Sequence, residues 1–520
     1  MVPDDSLFDL GPPRPCPARF NMAAHVLAHA ARTPDKLALR VLRDATGAVA
    51  EAWSYADLDR AIRATAQGLR EAGLARGDRV ALRLGNVSDF PILFFGTIAA
   101  GGIAVPTSSQ LTPGEFGRLV DDMAPRFAAV SAELGVELPA GVTPLPPPAW
   151  AELRTARPGE IADTAADDPA FLIYTSGTSG RPRGVLHAQR AADARRMMWD
   201  GWYGLTAADT VLHAGAFNWT YTLGAGLTDP WAAGAATLIY AGPRDAQVWP
   251  RLVRAHGATI FAAVPGVYRQ MLRGGGIGAA DFATLRHGLT AGERMPEAVA
   301  DDWRAATGKP LFEALGMSEI STYISSSPTV PPRPGRSGRP QAGRRIAILP
   351  EDRDSDAPVA VGAPGLLAVS RRDPGLMLGY WHDPAATLGA MRGEWFLTGD
   401  RAAMDADGYI TYLGRADEVM NALGYRVAPQ EVEEAIARHP AVADVAVAEL
   451  PVRADLTLVA AFVVPKGNWP GEAALAAHSA ATLAPYKAPK LWIEVEALPR
   501  SPNGKLQRRA LVAAHRRDGG

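Results

Sequence analysis

From residue 55 onward the chain keeps switching between two hydrophobic periods, and this alternation restricts the fold more than any other feature. Tyr55–Ala72 carries apolar residues at helical spacing, and Asp78-Arg-Val-Ala-Leu-Arg-Leu84 follows as a strand. Ala246–Ala255 reads as a helix and Thr259–Val264 as a short apolar strand. The longest apolar run, PILFFGTIAAGGIAVP over Pro91–Pro106, reads as a buried helix followed by a strand. It is too short for a bilayer and is interrupted by Gly and Pro. Helices alternating with short apolar strands predict α/β layers. Two Pro-rich stretches, Leu138–Pro148 and Pro328–Pro340, read as a surface linker and a loop. No fixed repeat is visible.

Near Gly414 the texture changes. A helix over Ala428–His439 starts with Pro429 and places Val432, Ala435 and Ile436 on one face. Strands are expected over Val442–Val447 and Leu456–Val464. Roughly 105 residues suffice for an independent α+β domain, so the expected division is 1–414 and 415–520. A chain of 520 residues, 48% hydrophobic and 21% charged, fits a soluble multidomain protein. Its net charge of −2 gives no field directed at nucleic acid or an anionic membrane. The single cysteine, Cys16, excludes an intrachain disulfide framework. The N-terminus MVPDDSLFDLGPPRP lacks the basic start and apolar core of a secretory signal, and RRDGG is no retention signal. A cytoplasmic protein without a membrane span is therefore expected.

The strongest local signal follows the apolar strand Ala170-Phe-Leu-Ile-Tyr174. It is Thr175-Ser-Gly-Thr-Ser-Gly-Arg-Pro-Arg-Gly184. Small residues let backbone N–H groups approach phosphates, and the hydroxyls of Thr175, Ser176, Thr178 and Ser179 add donors around Gly177 and Gly180. It is not a Walker loop, since G-x-x-x-x-G-K-[ST] is absent. This segment resembles the phosphate loop of the adenylate-forming superfamily, which includes acyl- and aryl-CoA synthetases, adenylation domains and firefly-type luciferases. Further matches come in the same order along nearly the whole chain: Ala291-Gly-Glu-Arg294, Glu313-Ala-Leu-Gly-Met-Ser-Glu319, Trp395-Phe-Leu-Thr-Gly-Asp400, Gly414-Arg-Ala-Asp-Glu-Val-Met-Asn-Ala-Leu-Gly-Tyr-Arg426 and Pro499-Arg-Ser-Pro-Asn-Gly-Lys505.

The resemblance implies a large N-terminal domain of α/β layers with a β-barrel-like subdomain, and a small mobile α+β C-terminal domain. It also implies that a carboxylate attacks the α-phosphate of ATP and that the acyl group then passes to a thiol. Both reacting partners are anionic, so the site must neutralise charge and align the attack. Lys505 would bridge carboxylate and phosphate oxygens, Glu319 would hold Mg²⁺, and Thr178 would touch phosphate. ATP or AMP would lie against Gly292, Glu293 and Arg294, against the run Glu313, Ala314, Leu315, Gly316, Met317 and Ser318, and against Asp400, Arg415 and Arg426. Asp400 would accept the ribose hydroxyls. Asp417 falls at the hinge position, where a few residues absorb the rotation between two half-reactions. Leu423 and Gly424 would meet CoA.

The acid pocket is expected to be lined by Phe217, Asn218, Trp219, Gly266, Thr290, Ala291, Gly292 and Gly316. Gly316 stands where acetyl-CoA synthetases place a Trp, which points to an acid larger than acetate, either aromatic or of medium or branched chain. Arg183 replaces the family's usual Lys in a chain whose 53 basic residues include only six Lys. Leu315 replaces an adenine-stacking aromatic, as in aryl-CoA ligases similar to benzoate-CoA ligase. Asn421 stands where many acyl synthetases have Lys and is similar to medium-chain synthetases. His187 and His213 show no metal-ligand spacing. The expected partners are ATP, Mg²⁺, CoA and a small carboxylic acid, with the protein as monomer or homodimer. A carrier-protein thiol in place of CoA, and a non-catalytic nucleotide-binding protein, stay open at this point.

Overall fold

The computed structural model describes residues 5–135, 137–176, 182–243, 245–352, 355–416, 420–422, 425–427, 429–453, 456–483, 487–500 and 506–518. The chain divides into two compact units, Phe8–Arg345 with Val369–Phe396, and Met1–Leu7 with Ile346–Ala368 and Leu397–Gly520. The expected division after residue 414 falls inside the second of these.

The first unit is built on two sheets. In the nine-stranded sheet six strands run parallel, in the spatial order Leu37–Leu42, Ala236–Tyr240, Thr210–His213, Ile260–Ala263, His287–Ala291 and Leu311–Met317. Antiparallel strands close both edges. In the seven-stranded sheet Pro169–Ser176, Ile103–Pro106, Arg79–Arg83, Phe127–Val130 and Thr143–Leu145 are parallel. Pro182–Ala188 pairs antiparallel with Pro169–Ser176, and Gly379–Tyr380 pairs antiparallel with Pro182–Ala188.

The helix Asp89–Ala100 separates the sheets. Every residue from Phe90 to Ala100 is buried, which an apolar helix achieves only when covered all round. Its core cluster joins Leu39 and Val41 of one sheet to Val80, Leu82 and Ala104 of the other. The helix Tyr55–Glu71 lies in the same layer and starts at a capping box, where Ser54 accepts from Asp57 N and Asp57 accepts from Ser54 N. On the outer faces Leu252, Tyr268, Met271 and Trp303 cover the larger sheet, and Phe116, Leu119 and Val120 cover the smaller. The result is a five-layer αβαβα stack, the layered α/β fold expected.

Most expected elements form within a few residues of their predicted bounds: Tyr55–Glu71, Arg79–Arg83, Ile103–Pro106, Val248–His256 and Ile260–Ala263. The stretch Leu138–Pro148 differs. It contains the edge strand Thr143–Leu145 and the start of the helix Pro147–Thr155. An edge strand tolerates Pro144, whose missing N–H would break a central ladder. Pro147 suits the first helical turn.

The strands Trp395–Met404 and Ile410–Arg415 pair antiparallel, with residues from Leu397 onward in the second unit. This pair belongs to a six-stranded sheet with Leu7–Asp9, Arg345–Leu349, Gly365–Ser370 and Met391–Arg392. Further along, the strands Val442–Arg453, Leu456–Pro465 and Leu491–Glu494 form a three-stranded sheet. Val432, Ile436 and Leu475 pack on one face of it and Leu498 and Leu511 on the other, giving the expected α+β module. Among the described residues no helix is long and apolar enough to cross a membrane.

Phe94 should reveal how much the buried helix holds. It is fully buried, with ring centroids 5.1 Å from Phe95 and 5.9 Å from Phe171. Phe94→Ala is expected to cost about 3–5 kcal/mol, read as a lower urea midpoint. A loss under about 1 kcal/mol would mean that the layer does not depend on this ring.

Candidate active site

Four parallel strands of the larger sheet end side by side, and nearly all the expected acid-pocket residues follow those ends. His213, Ala263, Ala291 and Ala314 sit at or beside the carboxyl ends of neighbouring strands. Ligands in open α/β sheets bind outside the carboxyl ends of strands. Thr290 is paired with Glu313 and Ala291 with Ala314, so the Ala291–Arg294 turn and the Glu313–Met317 segment are neighbours. Trp219 lies against Gly292. A Cβ at Gly292, whose φ is +95°, would stand 2.7 Å from the indole Cη2, so only glycine fits both the backbone and the ring. Phe217 instead turns into the core against Phe90, with centroids 5.4 Å apart. The expected apolar wall of this segment therefore rests on Trp219. Asn86 ties the loop down, donating to Gly215 O at 2.9 Å and accepting from Phe217 N at 3.3 Å. Asn218 is half-buried, and Gly266 has open space where a side chain would stand.

Gly316 corrects an expectation. A Cβ there would lie 2.7 Å from Ser321 O and 2.8 Å from Thr322 Cα, backbone atoms of the partner strand. The register shifts at Leu315/Gly316, where a bulge brings the strands close. The hairpin itself requires this glycine, so its missing side chain is no measure of pocket volume.

The expected phosphate segment joins two antiparallel strands. Tyr174 pairs with Gly184, Thr175 with Arg183 and Ser176 with Pro182, and the Thr175 hydroxyl donates to Arg183 O at 3.3 Å. Gly177, Thr178, Ser179 and Gly180 lie outside the described residues, as do Asp417, Leu423, Gly424 and Lys505. Arg426 is in the strand Tyr425–Val427, but its side chain is likewise outside the description. In the second unit, Asp400 faces Arg415 across the paired strands. Arg415 donates to Thr398 O at 2.9 Å and to Asp400 Oδ1 at 3.3 Å, and Tyr412 donates to Asp400 at 3.4 Å.

Glu319 sits in the turn between Leu311–Met317 and Ser321–Ser325, and that turn is gripped from several sides. His187 Nε2 donates to Ser318 O at 2.8 Å. Burial pushes the His187 ring down to about 4, so it stays neutral. Met377 N donates to Glu319 O at 2.8 Å, and the Tyr380 hydroxyl donates to Glu319 Oε1 at 2.9 Å. Ser321 has φ +71°, unusual for a residue with a side chain. Its hydroxyl accepts from Arg195, whose guanidinium is also bidentate to Asp229 at 2.9 and 2.6 Å. Tyr203 donates to the same carboxylate at 2.7 Å. Asp229 and Tyr203 are fully buried and Arg195 nearly so. Asn86, Arg195, Met377 and Tyr380 escaped the sequence reading; Tyr380 carried one usable signal, the Gly-Tyr step just ahead of the Asp383-Pro384 helix start.

The family profile of the AMP-binding enzyme matches residues 26–381, and that of the AMP-binding enzyme C-terminal domain matches residues 431–505. The chain belongs to the AMP-binding enzyme family. The benzoate–CoA ligase of Thauera aromatica is 32% identical over 500 residues, covering 89% of this chain and 91% of that protein. The human mitochondrial acyl-coenzyme A synthetase ACSM2A is 28% identical over 524 residues, covering 95% and 91%. Among solved structures, the anthranilate CoA ligase AuaEII in complex with anthranoyl-AMP superposes with a TM-score of 0.86 at 26% identity, covering 97% of this chain and 98% of that one. Within this AMP-binding enzyme, Leu315 is half-buried in its strand, and Arg183 lies over the Tyr380 ring with its guanidinium carbon 4.6 Å from the centroid.

Glu313 has an environment of its own. Part of its surface is accessible, but the surrounding protein desolvates the carboxyl and pushes it from 4.5 up to about 7. The hydrogen bond from Met295 N at 3.0 Å opposes that rise only partly. A raised acid favours the protonated form in the fold, so its contribution is present in full below about 4.5 and is lost as pH rises through about 7. Glu313→Gln keeps an acceptor for Met295 N and cannot ionise. The difference in melting temperature, variant minus wild type, should therefore grow in the variant's favour from about pH 5 to about pH 8. A flat difference would show that Glu313 ionises normally.

Proposed function

We propose that this AMP-binding enzyme is an AMP-forming ligase that joins an aromatic carboxylic acid to CoA. The observation that carries this reading is the row of four parallel strand ends with Trp219 folded over Gly292 beside the Glu313–Met317 strand. It offers a planar apolar wall where the resemblance puts the acid. The likeness to benzoate–CoA ligase and to an anthranilate CoA ligase supports an aromatic ring as the occupant.

The chemistry assigned to this chain's residues follows from charge. The acid carboxylate attacks the α-phosphate, a P–O bond forms, and pyrophosphate leaves. Lys505 neutralises the two approaching anions, with Ser176 and Thr178 donating to phosphate. Asp400 accepts from the ribose and Arg415 orients it. Glu319 would hold Mg²⁺, an ion that takes few protein carboxylates beside phosphate oxygens. Among the described residues no group of three or more His, Cys, Asp or Glu is placed to hold a metal unaided. Bound there, Mg²⁺ would offset phosphate charge. Rotation about Asp417 would then withdraw Lys505 and admit the CoA thiol past Leu423 and Gly424, with AMP as the leaving group.

Acid-dependent pyrophosphate release tests the substrate, with benzoate, 3-hydroxybenzoate, 2-aminobenzoate, octanoate and acetate, each with and without CoA. An aromatic acid should exceed acetate in kcat/KM by well over tenfold, since each buried methylene equivalent gives about fourfold. Preference for acetate or octanoate would overturn the aromatic reading. Lys505→Ala should reduce adenylate formation by roughly 10²–10³ and spare thioester formation from supplied acyl-AMP. Pyrophosphate release within about threefold of wild type would remove Lys505 from the adenylation step.

A further inference from the structure

Tyr380 has no assigned role, yet three structural features converge on it. It lies on the edge strand Gly379–Tyr380, opposite Val185, with Gly379 opposite Leu186. In antiparallel register a residue shares its face with the one opposite and with that residue's neighbours two positions away. Arg183 is two positions from Val185, on the strand that leaves the phosphate hairpin, so Arg183 and Tyr380 share a face. The guanidinium lies over the phenol ring at 4.6 Å. The same short segment grips Glu319 twice, through Met377 N on its carbonyl and the Tyr380 hydroxyl on its carboxylate. Tyr380 is itself anchored, since its backbone N donates to Thr387 Oγ1 at 2.9 Å in a helix capped by Asp383. Among the described residues the Tyr380 hydroxyl donates to the Glu319 carboxylate at Oε1.

We propose that Tyr380 is a positioning residue: its hydroxyl fixes one oxygen of Glu319 so that the other is presented to a phosphate-bound cation, and its ring couples that carboxylate to Arg183 at the base of the phosphate hairpin. The inference rests on reading Glu319 as the cation-holding acid. A carboxylate with one oxygen engaged by a neutral donor keeps its full negative charge but loses rotational freedom. That suits a metal which accepts few carboxylates and demands near-ideal geometry. Arg183 contributes through its planar face as well as its charge, which a Lys would supply less well.

The test is calorimetric binding of ATP to the full chain, with Mg²⁺ and with EDTA, beside kcat, KM for the acid, and melting temperature. Tyr380→Phe keeps the ring and the Arg183 stack and removes only the hydroxyl. The advantage of Mg²⁺ over EDTA in ATP affinity should fall about ten- to hundredfold, as expected for losing one hydrogen bond to a charged group. EDTA-state binding, KM for the acid and melting temperature should stay put. Glu319→Gln should abolish the Mg²⁺ advantage, and adding Tyr380→Phe to it should change nothing more, because the two act as one unit. Unchanged Mg²⁺ dependence in Glu319→Gln would defeat the reading of Glu319. Loss in Glu319→Gln but not in Tyr380→Phe would defeat the role of Tyr380 alone. A Tyr380→Phe defect that is equal with Mg²⁺ and EDTA, or that tracks a fallen melting temperature, would make Tyr380 a packing residue and overturn the proposal.

Discussion

A helix with no polar face sets the geometry of the larger unit. Asp89–Ala100 is buried from Phe90 to Ala100, so it needs a sheet on either side. Interiors are packed as densely as organic crystals, and a shared layer of interdigitated side chains holds the sheets to one spacing. Loops at their strand ends inherit that precision. The phosphate hairpin grows from one sheet and the Glu313–Glu319 segment from the other. Residues about 130 positions apart can therefore meet within hydrogen-bond distance, as His187 and Ser318 do.

Much of this was legible in the sequence because it is local. Period and turn chemistry placed the helix at Tyr55, the apolar strands and the α+β end, and the motif order identified the family. What stayed hidden was non-local. Thr143-Pro-Leu looks like linker until an edge is free to accept a strand with a proline in it. Phe217 and Trp219 are two residues apart, and only the packing decides which enters the core. Gly316 resembles an opening, but its reason is the backbone of Ser321 across the hairpin. Tyr380 sits 61 positions from Glu319, and no spacing rule connects them.

Charge is handled differently at three of the candidate acids. Asp400 lies opposite a guanidinium on a paired strand. Glu319 accepts a hydrogen bond from the Tyr380 phenol. The charge of Arg294 only partly offsets the desolvation of Glu313, which drifts toward neutrality. Each carboxyl group thus takes its charge state from its own surroundings.

The ion pair beneath the Ser321 turn bears on how this protein can change over generations. Replacing Arg195 alone strands the Asp229 charge in the interior, and replacing Asp229 alone strands the guanidinium, each a loss of several kcal/mol. An apolar pair of matching volume would be tolerated, but no single substitution leads there. Lineages carrying this pair are therefore held at it, and where homologues depart from it both positions should differ together. The left-handed backbone at Ser321 would then be free to relax, and with it the pitch of the turn that presents Glu319.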